Sequence, residues 1–175
     1  MKHQIGLVRY ATNVHAWVLD LPGAIAGAPD AAALDSVLPL AIAEHVAWLR
    51  AHGEQADSPG GWEIAETIDG EALASTGGEF GFAYDRAPLS RDEMDVLIAR
   101  MTWSRDDLLA AVEGLPDPLL DWAPPRSAFG PFDAWAPHVR TIREITGHVL
   151  QLEARPPNVE GRVEITFRDR RRNSF

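Results

Sequence analysis

The chain has 175 residues, of which 46% are hydrophobic and 24% charged, a composition typical of one packed domain or two small ones. It contains no cysteine, which excludes disulfides, thiolate metal sites and cysteine nucleophiles. No apolar run approaches the roughly 20 residues that span a bilayer, and the first residues lack the charged-then-apolar order of a signal peptide. By elimination, we expect a cytoplasmic protein.

The net charge of −10 is concentrated in the first half of the chain. Residues 1–87 carry 4 basic and 12 acidic side chains, whereas residues 88–175 carry 12 basic and 14 acidic ones. An acidic surface repels nucleic-acid phosphates and suits a basic protein partner, although acidity more often serves solubility alone. We therefore expect no nucleic-acid contact except through the basic tail Arg168–Arg172, and a solvated terminus is the more common role for such a tail.

The first predicted element is a β-hairpin. Residues 5–10 and 14–19 are two runs rich in β-branched and aromatic residues, separated by the short segment 11–13. The turn Asp20–Gly23 then ends the second strand, because its proline removes a ladder donor and its glycine tolerates turn geometry.

A helix and two further strands are predicted next. Asp30 is a predicted N-cap, apolar residues recur at three- and four-residue spacing over 34–49, and Gly53 marks the helix end. Trp62, Ile64 and Ile68 then predict a third strand. Phe80, Phe82 and Tyr84 alternate with small residues and predict a short fourth one.

The second half of the chain is predicted to be helical. Ser90 and Glu93 have the spacing of a capping box, and an apolar stripe follows over 94–112. A proline-rich connection covers 115–137, and a second helix is predicted over 138–154, before two prolines end it.

These elements predict an α+β protein with an N-terminal β-β-α-β module at residues 4–87 and an incomplete helical-bundle module at 88–155. The C-terminal tail is 156–175, in which residues 163–167 alternate like a short strand. Two helices with apolar stripes cannot bury both faces alone, so we also expect a homo-oligomer.

Residues 4–70 resemble the HicB-like antitoxin fold. The features that carry the resemblance are the strand–strand–helix–strand order and the turn Asp20-Leu21-Pro22-Gly23 with Gly27 before the long helix. In that family the module often neutralises a small RNase toxin, and the antitoxin usually carries a DNA-binding segment as well. The resemblance implies a protein that acts by binding another protein.

Residues 88–155 resemble the first half of a DinB-like four-helix bundle. The resemblance rests on the run Leu119-Leu120-Asp121-Trp122-Ala123-Pro124-Pro125, on Trp135, on Thr141-Ile142-Arg143-Glu144-Ile145, and on His148 and Glu153. Many members of that family bind a divalent metal through three histidines, one on the second helix and two on the last. Some members use the metal in thiol-dependent transfer. By position, His148 matches the second-helix ligand.

The residues around His148 supply few ligands for a metal ion. Glu144 and Gln151 share its polar edge of the helix, whereas His138 lies about 80° away around the helix, and no histidine follows His148. One histidine and one carboxylate fall short of the three or four ligands of a zinc site. A structural role is favoured, and a divalent metal at His148 stays open.

Four other histidines have predicted positions. His45 falls within the apolar stripe of the first helix and is predicted to be a packed histidine bonded to a neighbour. His52 lies at the end of that helix, where a cation complements the helix dipole. His3 and His15 are predicted to be cross-strand neighbours, which is a weak hint of a metal site.

No motif predicts a catalytic residue or a cofactor site. The sequence contains no phosphate loop, no dinucleotide fingerprint and no Gly-x-Ser-x-Gly elbow. The adjacent carboxylates Asp92-Glu93 and Asp106-Asp107 point about 100° apart on a helix, which favours solvated faces over an acid/base pair.

The sequence supports two hypotheses for the function, which belong to different classes. The first is a non-catalytic binding or regulatory protein that acts through protein–protein contacts of its acidic N-terminal module, with an edge strand facing the partner. The alternative is a DinB-like divalent-metal-dependent enzyme of the thiol-dependent transferase type. In that enzyme the site around His148 would be completed by another subunit.

Overall fold

The computed structural model describes residues 2–57, 60–70, 81–123 and 141–154. The fold is α+β, as predicted, with a mixed four-stranded sheet followed by helices. The strands are β1 (His3–Arg9), β2 (Val14–Val18), β3 (Ile25–Ala28) and β4 (Trp62–Asp69). The helices are α1 (Leu34–Ala51), α2 (Arg91–Val112), α3 (Asp117–Leu120) and α4 (Ile142–Ala154). None of the described helices combines the length and apolar character that crossing a membrane requires.

The strand order in the sheet is β3-β2-β1-β4. The predicted hairpin is confirmed: β1 and β2 are antiparallel, with Ile5 opposite Val18 and Arg9 opposite Val14. β4 is parallel to β1, and α1 connects it to β3 at the other side of the sheet. The chain therefore places β3 and β4 at opposite edges, with β1 in the interior.

The strand β3 was not predicted, so the N-terminal order is β-β-β-α-β and not β-β-α-β. Its sequence, Ile-Ala-Gly-Ala, has little of the β-branched and aromatic character that marks strands. Small residues are needed there because α1 packs directly on β3. Ala26 and Ala28 are accordingly buried in the core.

The helix α1 supplies one side of the main core. Its buried side chains recur at helical spacing and pack against the sheet: Leu34, Leu38, Ile42, Val46 and Leu49. The prediction of Asp30 as N-cap is wrong, because α1 begins at Leu34 and Ala33 is its N-cap. The Asp30 carboxylate instead accepts a hydrogen bond from Ala33 N (2.9 Å) in the turn before the helix. The predicted end is confirmed: Gly53 has φ 84°, a left-handed conformation that favours glycine, and Glu54 N donates to Leu49 O (3.0 Å).

The opposite face of the sheet is covered by a smaller cluster of Val8, Leu19 and Phe82. A Cβ at Gly6 would lie 2.6 Å from the ring of the buried Phe82, so only glycine allows this approach. A strand was predicted over Phe80–Tyr84. In the described part of this segment the prediction is wrong, because Ala83–Arg86 form a 3-10 turn. Phe82 fills the far face of the sheet and adds no strand to it, while Phe80 lies outside the described residues.

The second half begins as predicted. Glu93 N donates to Ser90 Oγ (3.3 Å) and Ser90 N donates to the Glu93 carboxylate (2.7 Å), so the capping box is confirmed. α4 is described from Ile142 onwards and follows a similar cap at Thr141. The predicted helix start at residues 138–140 and the predicted tail strand at 163–167 lie outside the described residues. The division into modules at residues 87 and 88 stays a prediction.

Arg143 joins the two short helical elements of the second half. Its Nε lies 2.6 Å from Asp121 Oδ1, and its Nη2 lies 2.6 Å from Asp117 Oδ1. These hydrogen bonds raise the pKa of Arg143 and lower that of Asp121. The guanidinium group therefore links the start of α4 to α3 in ionised form.

Candidate functional site

The edge strand β4 is the most exposed strand of the sheet. Five of its eight residues are exposed, and among the described residues it pairs with β1 on one side only. Its sequence, Trp-Glu-Ile-Ala-Glu-Thr-Ile-Asp, contains three acidic residues and no basic one. β4 thus combines an edge position with a uniform negative charge.

The carboxylates of β4 are held at the strand by neighbouring groups. Glu63 accepts a hydrogen bond from Gln4 Nε2 (2.8 Å) and lies 3.6 Å from Lys2 Nζ. The hydrogen bond from Gln4, and then the charge of Lys2, lower the pKa of Glu63. Glu66 accepts a hydrogen bond from the backbone N–H of Ala83 (2.7 Å). Since a lowered pKa favours the ionised form, Glu63 carries its charge at neutral pH.

The helix side of the sheet is covered unevenly at β4. Trp62 packs against the main core, whereas α1 packs mainly on β3, at the opposite edge. Ile64 lies beside the fully buried Ile5 of β1, yet it is 42% exposed. An apolar side chain is therefore accessible next to the acidic groups of β4.

The other edge strand differs in length and chemistry. β3 has only four residues, none of them charged, and two of its alanines are buried under α1. Short edge strands offer little backbone for another chain to pair with. Of the two edges, β4 is the better candidate surface for a partner.

A second cluster lies where α2 meets the end of α1. The Asp107 carboxylate accepts a hydrogen bond from Trp48 Nε1 (2.7 Å) and lies 2.9 Å from His52 Nε2. The His52 ring stacks on Trp103, with centroids 5.1 Å apart and planes 7° apart. Trp48 contacts both rings edge-on. α2 is thus attached to α1 through an exposed carboxylate and a group of aromatic rings.

An ion pair adjoins this cluster. Arg100 Nε donates to Glu54 Oε2 (2.9 Å), and a second guanidinium nitrogen contacts the other carboxylate oxygen. The hydrogen bond from Arg100 lowers the pKa of Glu54, and the hydrogen bond from Trp48 lowers the pKa of Asp107. Both carboxylates are therefore ionised at neutral pH and tie α2 to the C-terminal end of α1.

The contacts between α1 and α2, here called the junction, were not predicted from the sequence, which placed Asp107 on a solvated face. A signal does exist in the residue spacing. Trp48 and His52 are four residues apart on α1, and Trp103 and Asp107 are four residues apart on α2. Each pair therefore lies on one face of its helix. The spacing alone does not predict that these two helix faces contact each other.

The predictions for the histidines of α1 agree with the structure in part. His45 is half-buried, and its Nε2 lies 3.1 Å from Pro22 O, so the predicted bond to a neighbour is confirmed. Burial lowers the pKa of His45, although the hydrogen bond to Pro22 opposes this shift. His52 is the C-cap of α1, at the helix end where it was predicted.

The prediction that His3 and His15 are cross-strand neighbours is wrong. The register of the hairpin pairs His15 with Val8. His3 instead bonds to Asp20, with 2.8 Å between Nδ1 and Oδ2, while Asp20 Oδ1 accepts from Gln4 N (2.9 Å). Asp20 therefore stabilises the start of β1 through its contacts with His3 and Gln4. His3 and His15 do not form a pair of metal ligands.

His148 is exposed on α4. The carboxylate one turn before it, Glu144, accepts a hydrogen bond from Thr141 N (2.9 Å) and so serves the helix cap. Within the described ranges, no group of three or more histidine, aspartate or glutamate side chains is placed to hold a metal ion. His138 and the side chain of Glu153 lie outside these ranges, and His148 stays a predicted ligand.

Comparisons with protein-family models, with curated proteins and with solved structures give no match. The HicB-like and DinB-like resemblances therefore rest on the sequence features from which they were predicted.

The contacts of Asp107 at the junction of α1 and α2 predict that the stability of the fold decreases at acidic pH. The pKa of Asp107 is lowered in the folded chain, so its ionised form stabilises the fold. This contribution to the free energy of unfolding is complete above the ordinary pKa range of aspartate and is lost as the pH falls through the lowered pKa. We expect Asp107→Asn to lower the melting temperature by a few degrees at pH 7, with wild type and variant converging once the pH falls below the lowered pKa of Asp107. Melting followed by tryptophan fluorescence measures this. Asp106→Asn is the matched control, and an equal effect in the control, or an offset independent of pH, would contradict the assignment.

The metal content of the purified chain tests His148. Because its imidazole is exposed and the nearest carboxylate is used in a cap, we expect less than about one-tenth of an equivalent of zinc, nickel or iron, since a zinc site needs three or four ligands. We also expect the fold of His148→Ala to be unchanged. Elemental analysis and circular dichroism measure both. A stoichiometric metal that is lost in His148→Ala would contradict this and favour the metal-dependent enzyme.

Proposed function

We propose that the chain is a binding or regulatory protein, without catalysis of its own, that acts through protein–protein contacts of its acidic N-terminal module, residues 4–87. The observation that supports this most strongly is β4, an exposed edge strand of eight residues with three acidic side chains. The partner is a basic protein that pairs with β4.

Edge strands bind other chains through their unpaired backbone groups. An added strand forms main-chain hydrogen bonds along the edge, and side-chain contacts give the selectivity. On β4 the selectivity comes from Glu63, Glu66 and Asp69, with Ile64 as an exposed apolar contact. Lysine or arginine on the partner strand would lie opposite these acids.

The same charges disfavour pairing between two copies of β4. Like charges on neighbouring strands are destabilising, and charged side chains on an edge are a common protection against self-association. A role confined to such protection is the simplest alternative. The open apolar position at Ile64 favours a partner, because protection of an edge requires no exposed isoleucine.

The HicB-like resemblance suggests the class of partner. Antitoxin modules of that family often neutralise a small RNase, and an enzyme that binds RNA presents basic groups to phosphates. We propose a small basic protein of this kind, encountered in the cytoplasm. The homo-oligomer predicted from the helical stripes would then form through a surface other than β4.

The DinB-like enzyme remains the alternative proposal. It requires ligands for His148 from another subunit, and no contact among the described residues favours it over the binding role. The metal analysis of His148→Ala separates the two proposals.

Affinity purification from cells that naturally make the protein tests the binding role. We expect the tagged full chain to retain one basic protein in near-stoichiometric amount. Glu63→Lys combined with Asp69→Lys should reduce its recovery by about tenfold, because reversed charges on β4 repel a basic strand. Quantitative mass spectrometry measures the recovery.

The matched control combines Glu44→Lys with Asp57→Lys, an equal charge change at exposed positions of the same module outside β4. Recovery in this control should stay within about twofold of wild type, as rim charges alone contribute little. The proposal fails if no protein is retained, or if both variants lose the partner equally.

A further inference from the structure

The side chains of β4 do not alternate regularly between the two faces of the sheet. Trp62 packs against the main core, on the face that α1 covers, here called the helix face. Ile68 packs against the cluster of Val8 and Phe82, on the opposite face, here called the far face. Residues six positions apart lie on the same face of a regular strand. The strand therefore contains an extra residue between Trp62 and Ile68.

A β-bulge in the pairing with β1 is the cause of this change of face. Ile5 lies beside Ile64 and Gly6 lies beside Glu66, so Ala65 has no counterpart in β1. A Cβ at Gly6 would point at the ring that covers the far face. Because residues paired across neighbouring strands point to the same face, Glu66 also lies on the far face.

The bulge places two carboxylates together on the far face. Glu63 accepts a hydrogen bond from Gln4 (2.8 Å), which is two residues before Gly6 and so shares its face. Glu66 accepts a hydrogen bond from the backbone N–H of Ala83 (2.7 Å), in the turn on the same face. In a strand without the bulge, residues three positions apart would point to opposite faces.

Nearby basic groups compensate the far face only in part. Lys2 Nζ lies 3.6 Å from Glu63, and both side chains are more than half exposed. The donor to Glu66 is a neutral backbone amide, and residues 83–86 add one acidic and one basic side chain. On the helix face, Asp69 lies beside Arg9, so an acid is paired with a base. The excess negative charge of β4 therefore belongs to the far face.

The helix face of β4 offers an apolar contact in place of charge. Ile64 is 42% exposed beside the buried Ile5, and the partly buried Trp62 lies two residues before it on the same face. A strand added at this edge places its side chains alternately on the two faces of the sheet. One set of its side chains therefore meets Ile64, and the other set meets Glu63 and Glu66.

On the basis of the proposed function, we propose that the segment of the partner that pairs with β4 is an extended strand in which basic and apolar residues alternate. Its lysine or arginine side chains lie on the far face with Glu63 and Glu66, and its apolar side chains lie on the helix face with Ile64. The charge of the far face and the exposed isoleucine of the helix face together select this pattern. A basic segment without such alternation would place some of its charges beside Ile64.

Fluorescence anisotropy with the full chain tests the pattern. The probe is a labelled synthetic peptide of about eight residues, within the usual length of a strand, in which valine and lysine alternate. The control peptide has the same composition, with its valines and lysines in two blocks. We expect the alternating peptide to bind at least about fivefold more tightly, because only its lysines share one face of a strand.

An isoleucine at each edge of the sheet locates the peptide. Ile64→Thr should weaken binding of the alternating peptide by about threefold to fivefold, because an apolar contact is lost. The matched control is Ile25→Thr on the opposite edge strand β3, where Ile25 is 40% exposed against 42% for Ile64. This control should change the affinity by less than about twofold.

Glu66→Gln tests the far face. The glutamine carbonyl can still accept the hydrogen bond from Ala83 N, whereas the negative charge is removed. We expect weaker binding of the alternating peptide and a smaller dependence of the affinity on salt. Glu44→Gln removes the same charge at an exposed position of α1 and should change the affinity by less than about twofold.

Equal affinity for the two peptides would overturn the proposed pattern, because charge attraction alone does not depend on residue order. Equal effects of Ile64→Thr and Ile25→Thr would overturn it as well, since the peptide would then lie elsewhere. If either result is found while affinity purification retains a basic protein that depends on the charges of β4, the proposed function stands without this pattern. If no protein is retained and neither peptide binds, both proposals fail.

Discussion

The two sides of β1 pair with different strands, and this pairing positions the other elements of the sheet. β1 is buried along most of its length and contacts the core through Ile5 and Leu7 on one face and Val8 on the other. β2 occupies one side of it in antiparallel orientation and β4 the other in parallel orientation. The strand proposed to bind a partner is therefore supported by the most buried strand of the sheet. A partner strand added to β4 would extend this sheet without rearranging its core.

The attachment of α2 follows a different principle. A hydrogen bond from Trp48 and a contact with His52 converge on the exposed carboxylate of Asp107. The ion pair of Arg100 with Glu54 provides a second link between α2 and the end of α1. The contacts at Asp107 are exposed, and exposed polar contacts contribute less to stability than buried apolar ones. The attachment of α2 to α1 therefore depends on polar and aromatic contacts more than on a shared apolar core.

Local signals in the sequence predicted local structure well. The hairpin, the end of α1 at Gly53 and the capping box at Ser90 depend on residues within a few positions of one another. A strand around Trp62, Ile64 and Ile68 was also predicted, and its presence is confirmed by β4. These features require no knowledge of distant parts of the chain.

Features that depend on tertiary contacts were missed. β3 contains small residues because a helix lies on it, and Phe82 continues no strand because it fills the far face of the sheet. The pairing of His3 with Asp20 depends on the register of the hairpin, which the sequence did not specify. The contact at Asp107 requires two residues 59 positions apart in the chain, Trp48 and Asp107, to meet from different helices.

Hydrogen–deuterium exchange of the full chain, alone and with the co-purified partner, tests whether the partner binds to β4. In the free protein, the outward amides of Trp62–Asp69 have no partner strand among the described residues, so we expect them to exchange quickly. With the partner bound, we expect exchange across this segment to slow by at least about tenfold, because each new backbone hydrogen bond protects its amide. Unchanged exchange in β4, with protection confined to other segments, would contradict the account.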